Sequence, residues 1–280
     1  MIWLVSLLGS AVILVAVIAS WRALDARTDR AARNRLIQTE AGGGRAYTPA
    51  LVAGLPEPAR RYFNYTIQAG TMLRTVAEID MTGELGLGSQ DDPKYRSMQA
   101  SQILAPPHGL VWNVKTGRIS GSDGATPERS WTRFWLFGFA PVVRARGQDH
   151  RRAAFGRVVI EGAVWAPASL LPGEHVHWEP LGQNSARVIV DFNGLEQAVD
   201  IFVGNEGALT KVVIQRWTNA NPEKMFREQP FGGYVSGFKN FSGYRLATRI
   251  EVGNHFGTPD YFPFYSANIS DIRFPGGQGA

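Results

Sequence analysis

The sequence predicts a mainly β protein: an N-terminal transmembrane helix followed by a curved antiparallel β-sheet or half-barrel with one or two packed helices. Three observations carry that expectation. An uncharged apolar run occupies Ile2 to Ser20. Beyond Gly70 the side chains alternate with a period of two, as strands require. The chain also holds 31 glycines and 16 prolines in 280 residues, more than the usual share, which supplies many turns.

The apolar run comes first. As a helix, Ile2 to Ser20 rises about 28 Å, close to the ~30 Å of a bilayer's hydrocarbon core. Trp3 and Trp21 bracket it as interfacial aromatics do. The rival reading is a cleaved signal peptide, with Val17-Ile-Ala19 as the small-residue site. The missing basic n-region and the length of the run weigh against it. Arg22, Arg27, Arg30, Arg33 and Arg35 follow the run. The positive-inside rule then places a single-pass protein's body in the cytoplasm. The absence of cysteine points the other way, towards export. It also excludes disulfides, thiolate nucleophiles and Cys-ligated metal centres. Net charge is +5, and most of the excess lies just after the apolar run. The lipid bilayer, not nucleic acid, is therefore the expected partner.

The domain organisation follows: an anchor over 1–21, a polar stalk and glycine linker over 22–48, one β-rich domain over 49–275 and a flexible tail over 276–280. Residues 22–41 read as a solvated helix broken by Gly42-Gly43-Gly44. Proline at a helix start and the spacing of Tyr62, Phe63 and Ile67 predict an amphipathic helix to about Gln68 that docks on the body. Val76 to Thr82 alternates. Further strand-like runs fall at 94–104, 109–116, 155–165, 174–180, 185–193, 196–203, 208–217, 243–255 and 264–274. Asp191-Phe-Asn-Gly194 and Gly204-Asn-Glu-Gly207 are hairpin turns between such runs. Helical periodicity is missing beyond Gly70, so the expectation is nine or ten antiparallel strands without crossover helices.

The most distinctive stretch is Phe155-Gly-Arg-Val-Val-Ile-Glu-Gly-Ala-Val-Trp165-Ala-Pro-Ala-Ser-Leu-Leu-Pro172. With Leu55-Pro-Glu-Pro-Ala-Arg-Arg-Tyr62, Gln99-Ala-Ser-Gln102, Gly109-Leu-Val-Trp112 and Gly121-Ser-Asp123, it resembles an uncharacterised bacterial family, the domain of unknown function numbered 6544. The resemblance implies a shared fold over most of 50–275 and brings no activity. Val203 to Ile214 and Tyr244 to Val252 are similar, more loosely, to the hairpins of LolA-like lipoprotein carriers, whose strands line a concave apolar sheet.

No known catalytic signature is present. Gly83-Glu-Leu-Gly-Leu-Gly88 lacks phosphate-cradle spacing, and Ser236 lacks the glycines of a nucleophile elbow. His175-Val-His177 has a spacing that zinc accepts, with Glu161, Glu174 or Glu179 as a third ligand. The plainer reading is a surface pair beside Trp178, and no metal or cofactor is expected. Glu161 is an acid in an otherwise apolar run. It is either half of a buried ion pair with one of the arginines or a general acid/base. A second carboxylate for such work would come from Asp123 or Asp200, by elimination. Trp131, Trp135 and Phe139 recur every fourth residue and read as one helix stripe: core, aromatic lid or bilayer contact.

The function read from these features is a membrane-anchored, non-enzymatic module that binds a lipid or other apolar ligand. Its expected ligand-lining residues are Trp112, Trp131, Trp135, Phe139, Trp165, Gln99 and Gln102. The alternative is an envelope glycan or lipid hydrolase that uses Glu161.

Overall fold

The computed structural model describes residues 2–41 and 43–276. Gly42 of the expected linker and 277–280 of the expected tail lie outside them. Helix α1 spans Ile2–Ile37, α2 Glu57–Thr66 and α3 Gln148–Trp165. The strands are β1 Ala77–Gly86, β2 Tyr95–Ala105, β3 Gly109–Thr116, β4 Ile119–Ala125, β5 Ser130–Leu136 and β6 Ala140–Ala145. After α3 follow β7 Val176–Gly182, β8 Ser185–Phe192, β9 Leu195–Val203, β10 Leu209–Thr218, β11 Arg227–Phe241, β12 Tyr244–Asn254 and β13 Phe262–Arg273.

All thirteen strands form one antiparallel sheet, ordered β6-β5-β4-β3-β2-β1-β13-β12-β11-β10-β9-β8-β7. The edge strands β6 and β7 do not pair with each other, so the sheet is a half-barrel and not a closed barrel. Each sequential pair is a hairpin except where α3 bridges β6 to β7 and where β13 returns to β1. With this up-and-down course, the turns after β1, β3, β5, β8, β10 and β12 all fall at one end of the sheet.

The concave face carries the main core. Helices α2 and α3 pack into it: Tyr62 of α2 donates to the Ala163 carbonyl of α3 at 2.7 Å, and Phe63 meets Trp178 edge-on at 5.5 Å. Helix α3 corrects the strand expected over 155–165 and the expectation of no helix in this region. Its middle is buried on nearly every side, from Ala154 to Trp165, so it has no polar stripe to betray a 3.6-residue period. Trp165 is fully buried and donates its indole N–H to the Ala247 carbonyl at 3.1 Å.

The convex face carries a smaller core, and α1 supplies it. Ala32 and Leu36 pack with Val76, Ile103, Val111 and Trp131. Polar bonds run the length of this seam. Asp25 pairs with Arg144 at 2.6 Å and Arg133 at 3.3 Å, and Arg33 reaches Glu78 at 3.5 Å. Glu40 accepts the N–H groups of Thr75 and Val76. The expected solvated stalk is thus docked along its acidic side, while Arg22, Arg27, Arg30 and Arg35 stay exposed.

Trp131, Trp135 and Phe139 form no helix stripe. Trp131 and Trp135 lie on β5, and Phe139 lies in the turn that follows it. Spacing by four places two side chains on one face of a strand as well as of a helix, and the glycine opposite decides the matter. A Cβ on Gly124 would collide with the Trp131 ring, which lies across it.

If α1 is part of the folded body, Leu36→Ala leaves a cavity in the convex core. The full chain in detergent should lose about 2–4 kcal/mol in a urea melt. An unchanged midpoint would mean that this half of α1 only rests against the sheet.

Candidate functional site

Between α3 and the concave sheet lies a cavity of about 300 Å³. Ile160, Val164 and Trp165 of α3 form one wall. Trp112, Phe134, Val212, Phe231, Ile250 and Val252 from five strands form the other. Leu87, at the β1–β2 turn, is the only lining residue of the exposed class. The volume is at the lower end of the ~300–1,000 Å³ usual for small-molecule sites.

One side of this apolar space is polar, and Arg157 organises it. Its Nε donates to Glu161 at 2.6 Å, one helical turn on, and its Nη1 donates to Asp123 on β4 at 2.7 Å. Its Nη2 reaches the Gln102 carbonyl oxygen on β2 at 3.2 Å, and the Gln102 amide donates to Glu161. Thr132 on β5 donates to the other Asp123 oxygen at 2.7 Å. Every carboxylate oxygen here therefore has a donor. The guanidinium also lies 5.1 Å over the Trp112 ring. Burial alone would lower the Arg157 pKa, but the Glu161 and Asp123 charges outweigh it and raise the value above the ordinary one.

His150, near the start of α3, sits between Ser130 and Thr132 at 2.8 Å from each. Burial holds its pKa below the ordinary value, against Asp123 and with Arg216. Arg216 on β10 lines the cavity too, 4.7 Å over Phe231. Burial first, and then Arg157, pull its pKa down to about 10. Tyr265 on β13 faces the same space, and burial raises its pKa.

The structure sorts the sequence-expected residues by face. Trp112, Trp165 and Glu161 line the cavity, and Gln102 bonds to its polar side. Asp123, named only by elimination, is there as well, while Asp200 pairs with Arg187 elsewhere at 2.6 Å. Glu161 meets an arginine as the plainer reading expected, although on a helix. Trp131 and Trp135 point to the convex side, where Trp131 donates to Ser122 at 3.1 Å and Trp135 meets Trp21 edge-on at 5.4 Å. Gln99 is exposed, three residues from Gln102 and so on the opposite face of β2. Phe139 is exposed at the β5–β6 turn. His175 and His177 are exposed beside Asp191, and the described residues hold no group of three metal-ligating side chains.

Arg157 and Arg216 were not singled out by sequence reasoning as site residues. Arg216 did leave a signal. It continues the apolar inward row Val212, Ile214 of β10, a place where an arginine needs a reason.

Arg157→Met would strand two carboxylates in a mostly buried cluster. Removing one partner of a buried pair costs roughly 3–5 kcal/mol, so the melting temperature should fall by several degrees. A melt within one degree of the parent would show that solvent, not Arg157, balances those acids.

A family model described as a family of unknown function (DUF6544) matches residues 45–267. No curated protein matches the chain. Among solved structures the chain is similar to a LolA-superfamily protein from Nitrosomonas europaea, with 12% identity, 78% of this chain and 91% of that chain covered, and a TM-score of 0.45. It is similar also to an outer-membrane lipoprotein-sorting protein domain from Vibrio parahaemolyticus (11%, 73% and 87%, TM-score 0.37). A third is a DUF1329 family protein from Desulfovibrio piger (10%, 73% and 88%, TM-score 0.39).

Proposed function

The chain belongs to the family of unknown function DUF6544, and we propose that it is a membrane-tethered, non-enzymatic module that binds a lipid or another apolar molecule. The observation that carries this reading is the roofed cavity under α3, apolar on most of its lining and polar on one side. Such a space favours a ligand with a hydrocarbon body, because each buried methylene contributes about 0.8 kcal/mol.

The tether is supported by α1. It is long and apolar enough to cross a membrane, and none of its apolar window is buried in the fold. The same helix runs without a break into the convex seam, so its membrane end and its docked end are one rigid rod. The rod reaches the body beside the β5–β6 turn, where a Cβ on Gly138 would collide with Arg22. That turn and the Leu87 mouth share one end of the sheet. Exposed Leu87, Phe137, Phe139, Met225 and Phe226 all fall in turns at that end. A body held in this way presents its cavity mouth and an apolar rim towards the bilayer. The charge bias favours the cytoplasmic side. Asp25 is tied into the body, whereas four nearby arginines are exposed.

Glu161 lines the cavity, which keeps the hydrolase reading in play. Its two oxygens are already engaged by Arg157 and Gln102, which suits a structural role.

Native mass spectrometry of the full chain from mild detergent should show a co-purified lipid. Val164→Trp, which fills the cavity, should remove it, while Glu161→Gln should leave most of the occupancy. A parent protein with an empty, water-filled cleft would defeat the binding reading. In a separate check, carbonate washing should leave the chain in the membrane pellet. Recovery of a soluble chain starting near Trp21 would instead identify a signal peptide.

A further inference from the structure

The polar side of the cavity is unbalanced in one respect: its carboxylate acceptors are satisfied and two of its buried donors are not. Both oxygens of Asp123 and both of Glu161 receive hydrogen bonds. In contrast, the Nε of Arg216 and the Nε1 of Trp112 are buried without any hydrogen-bond partner, and both residues line the cavity. The Tyr265 hydroxyl, also on the lining, finds only the Met81 sulfur at 2.9 Å, a weak acceptor. Buried donors left unpaired are rare in folded proteins, and each needs an explanation.

Charge tells the same story. Arg157 is spent on two carboxylates, with direct contacts at 2.6 and 2.7 Å. Arg216 has no carboxylate within ion-pair distance among the described residues, although Asp123 and Glu161 are near enough to act on it through space. Its ordinary value is lowered by burial and by Arg157. A desolvated guanidinium without a counter-ion is costly. An incoming acid group would relieve it.

We infer that the cavity takes an amphiphile with an anionic head, whose oxygens accept hydrogen bonds from Arg216 and Trp112 while its hydrocarbon tail lies along Val212, Phe231, Ile250 and Val252. This rests on the reading of the cavity as a lipid site and narrows the ligand to a long-chain acid, with a carboxylate or phosphate head. A neutral lipid would leave the same donors unpaired. A free anion would leave the apolar walls empty.

The test uses the full chain, delipidated by exchange in a nonionic detergent, and tryptophan fluorescence to follow binding. Palmitate, methyl palmitate and inorganic phosphate serve as probes. Hydrogen bonds to charged groups correspond to roughly a tenfold to hundredfold change in affinity. Palmitate should therefore bind the parent at least ten times more tightly than its methyl ester. Arg216→Met should bring the two within about twofold, and a far-UV circular dichroism spectrum matching the parent's shows that the variant is folded. Arg216→Lys should restore part of the preference. Equal binding of the two lipids to the parent, or a preference that survives Arg216→Met, would overturn the anionic head and leave the apolar-ligand reading intact. Phosphate binding as tightly as palmitate would overturn the amphiphile. If neither lipid binds the parent, the apolar-ligand reading itself falls, and this inference falls with it.

Discussion

The guanidinium of Arg157 is where helix and sheet are joined on the concave side. Its direct bonds reach Glu161 on its own helix, Asp123 on β4 and Gln102 on β2. The geometry is demanding because a planar fork must meet separate acceptors at fixed angles. That fixes how far α3 stands from the strands. With α3 held off by this cluster at one side and seated by Trp165 on Ala247 at its end, the space between cannot collapse into ordinary core. The cavity is thus a consequence of the polar cluster. A wholly apolar α3 would sink further into the sheet, because close packing is the default for such surfaces.

The convex side solves a different problem with similar chemistry. A half-barrel of thirteen strands would otherwise leave its β2–β5 region open to water, with Val111, Ile103 and Trp131 exposed. The second half of α1 covers this region, and the partly buried pairs from Asp25 and Asp29 to Arg133 fix the helix in one orientation. Burial pushes the Asp29 carboxyl above its ordinary range, with Ser122 and Arg133 offsetting only part of the cost. That seam therefore contributes alignment more than stability. Alignment is what the membrane-held binding module proposed above would need. Under the tethered reading proposed above, it sets which end of the sheet faces the bilayer, and the turns at that end carry exposed apolar side chains.

Most of the half-barrel was legible in the sequence, and the failures have two causes. β1 to β3, β7 to β10, β12 and β13 read as strand-like runs, most of them bounded by glycine, proline or asparagine, so composition and punctuation agree. β4 is too rich in glycine and serine to read as a strand, and β11 carries Gly232, Gly233 and Gly237 within its run. The two larger errors mirror each other. Arg157 and Glu161 are four apart, as are Trp131 and Trp135, and a spacing of four shares a face on either a helix or a strand. α3 was taken for a strand because its β-branched residues are buried all round. β5 was taken for a helix because its tryptophans fall at that spacing. The same ambiguity split the expected site. Trp112, Trp165, Gln102 and Glu161 meet at the cavity, whereas Trp131 and Trp135 belong to the seam with α1. A face is a tertiary fact, and single-sequence spacing does not supply it.

For the proposed binding function, the decisive question is which face holds the ligand. A brominated long-chain acid quenches tryptophan only on close contact, and the tryptophans of this chain are divided between the two faces. Replacing Trp112 and Trp165 with phenylalanine should remove most of the quenching seen in the parent. Replacing Trp131 and Trp135 should leave it nearly intact. The reverse pattern, with quenching lost only when the convex pair is replaced, would place the ligand at the α1 seam and contradict the role assigned to the cavity under α3.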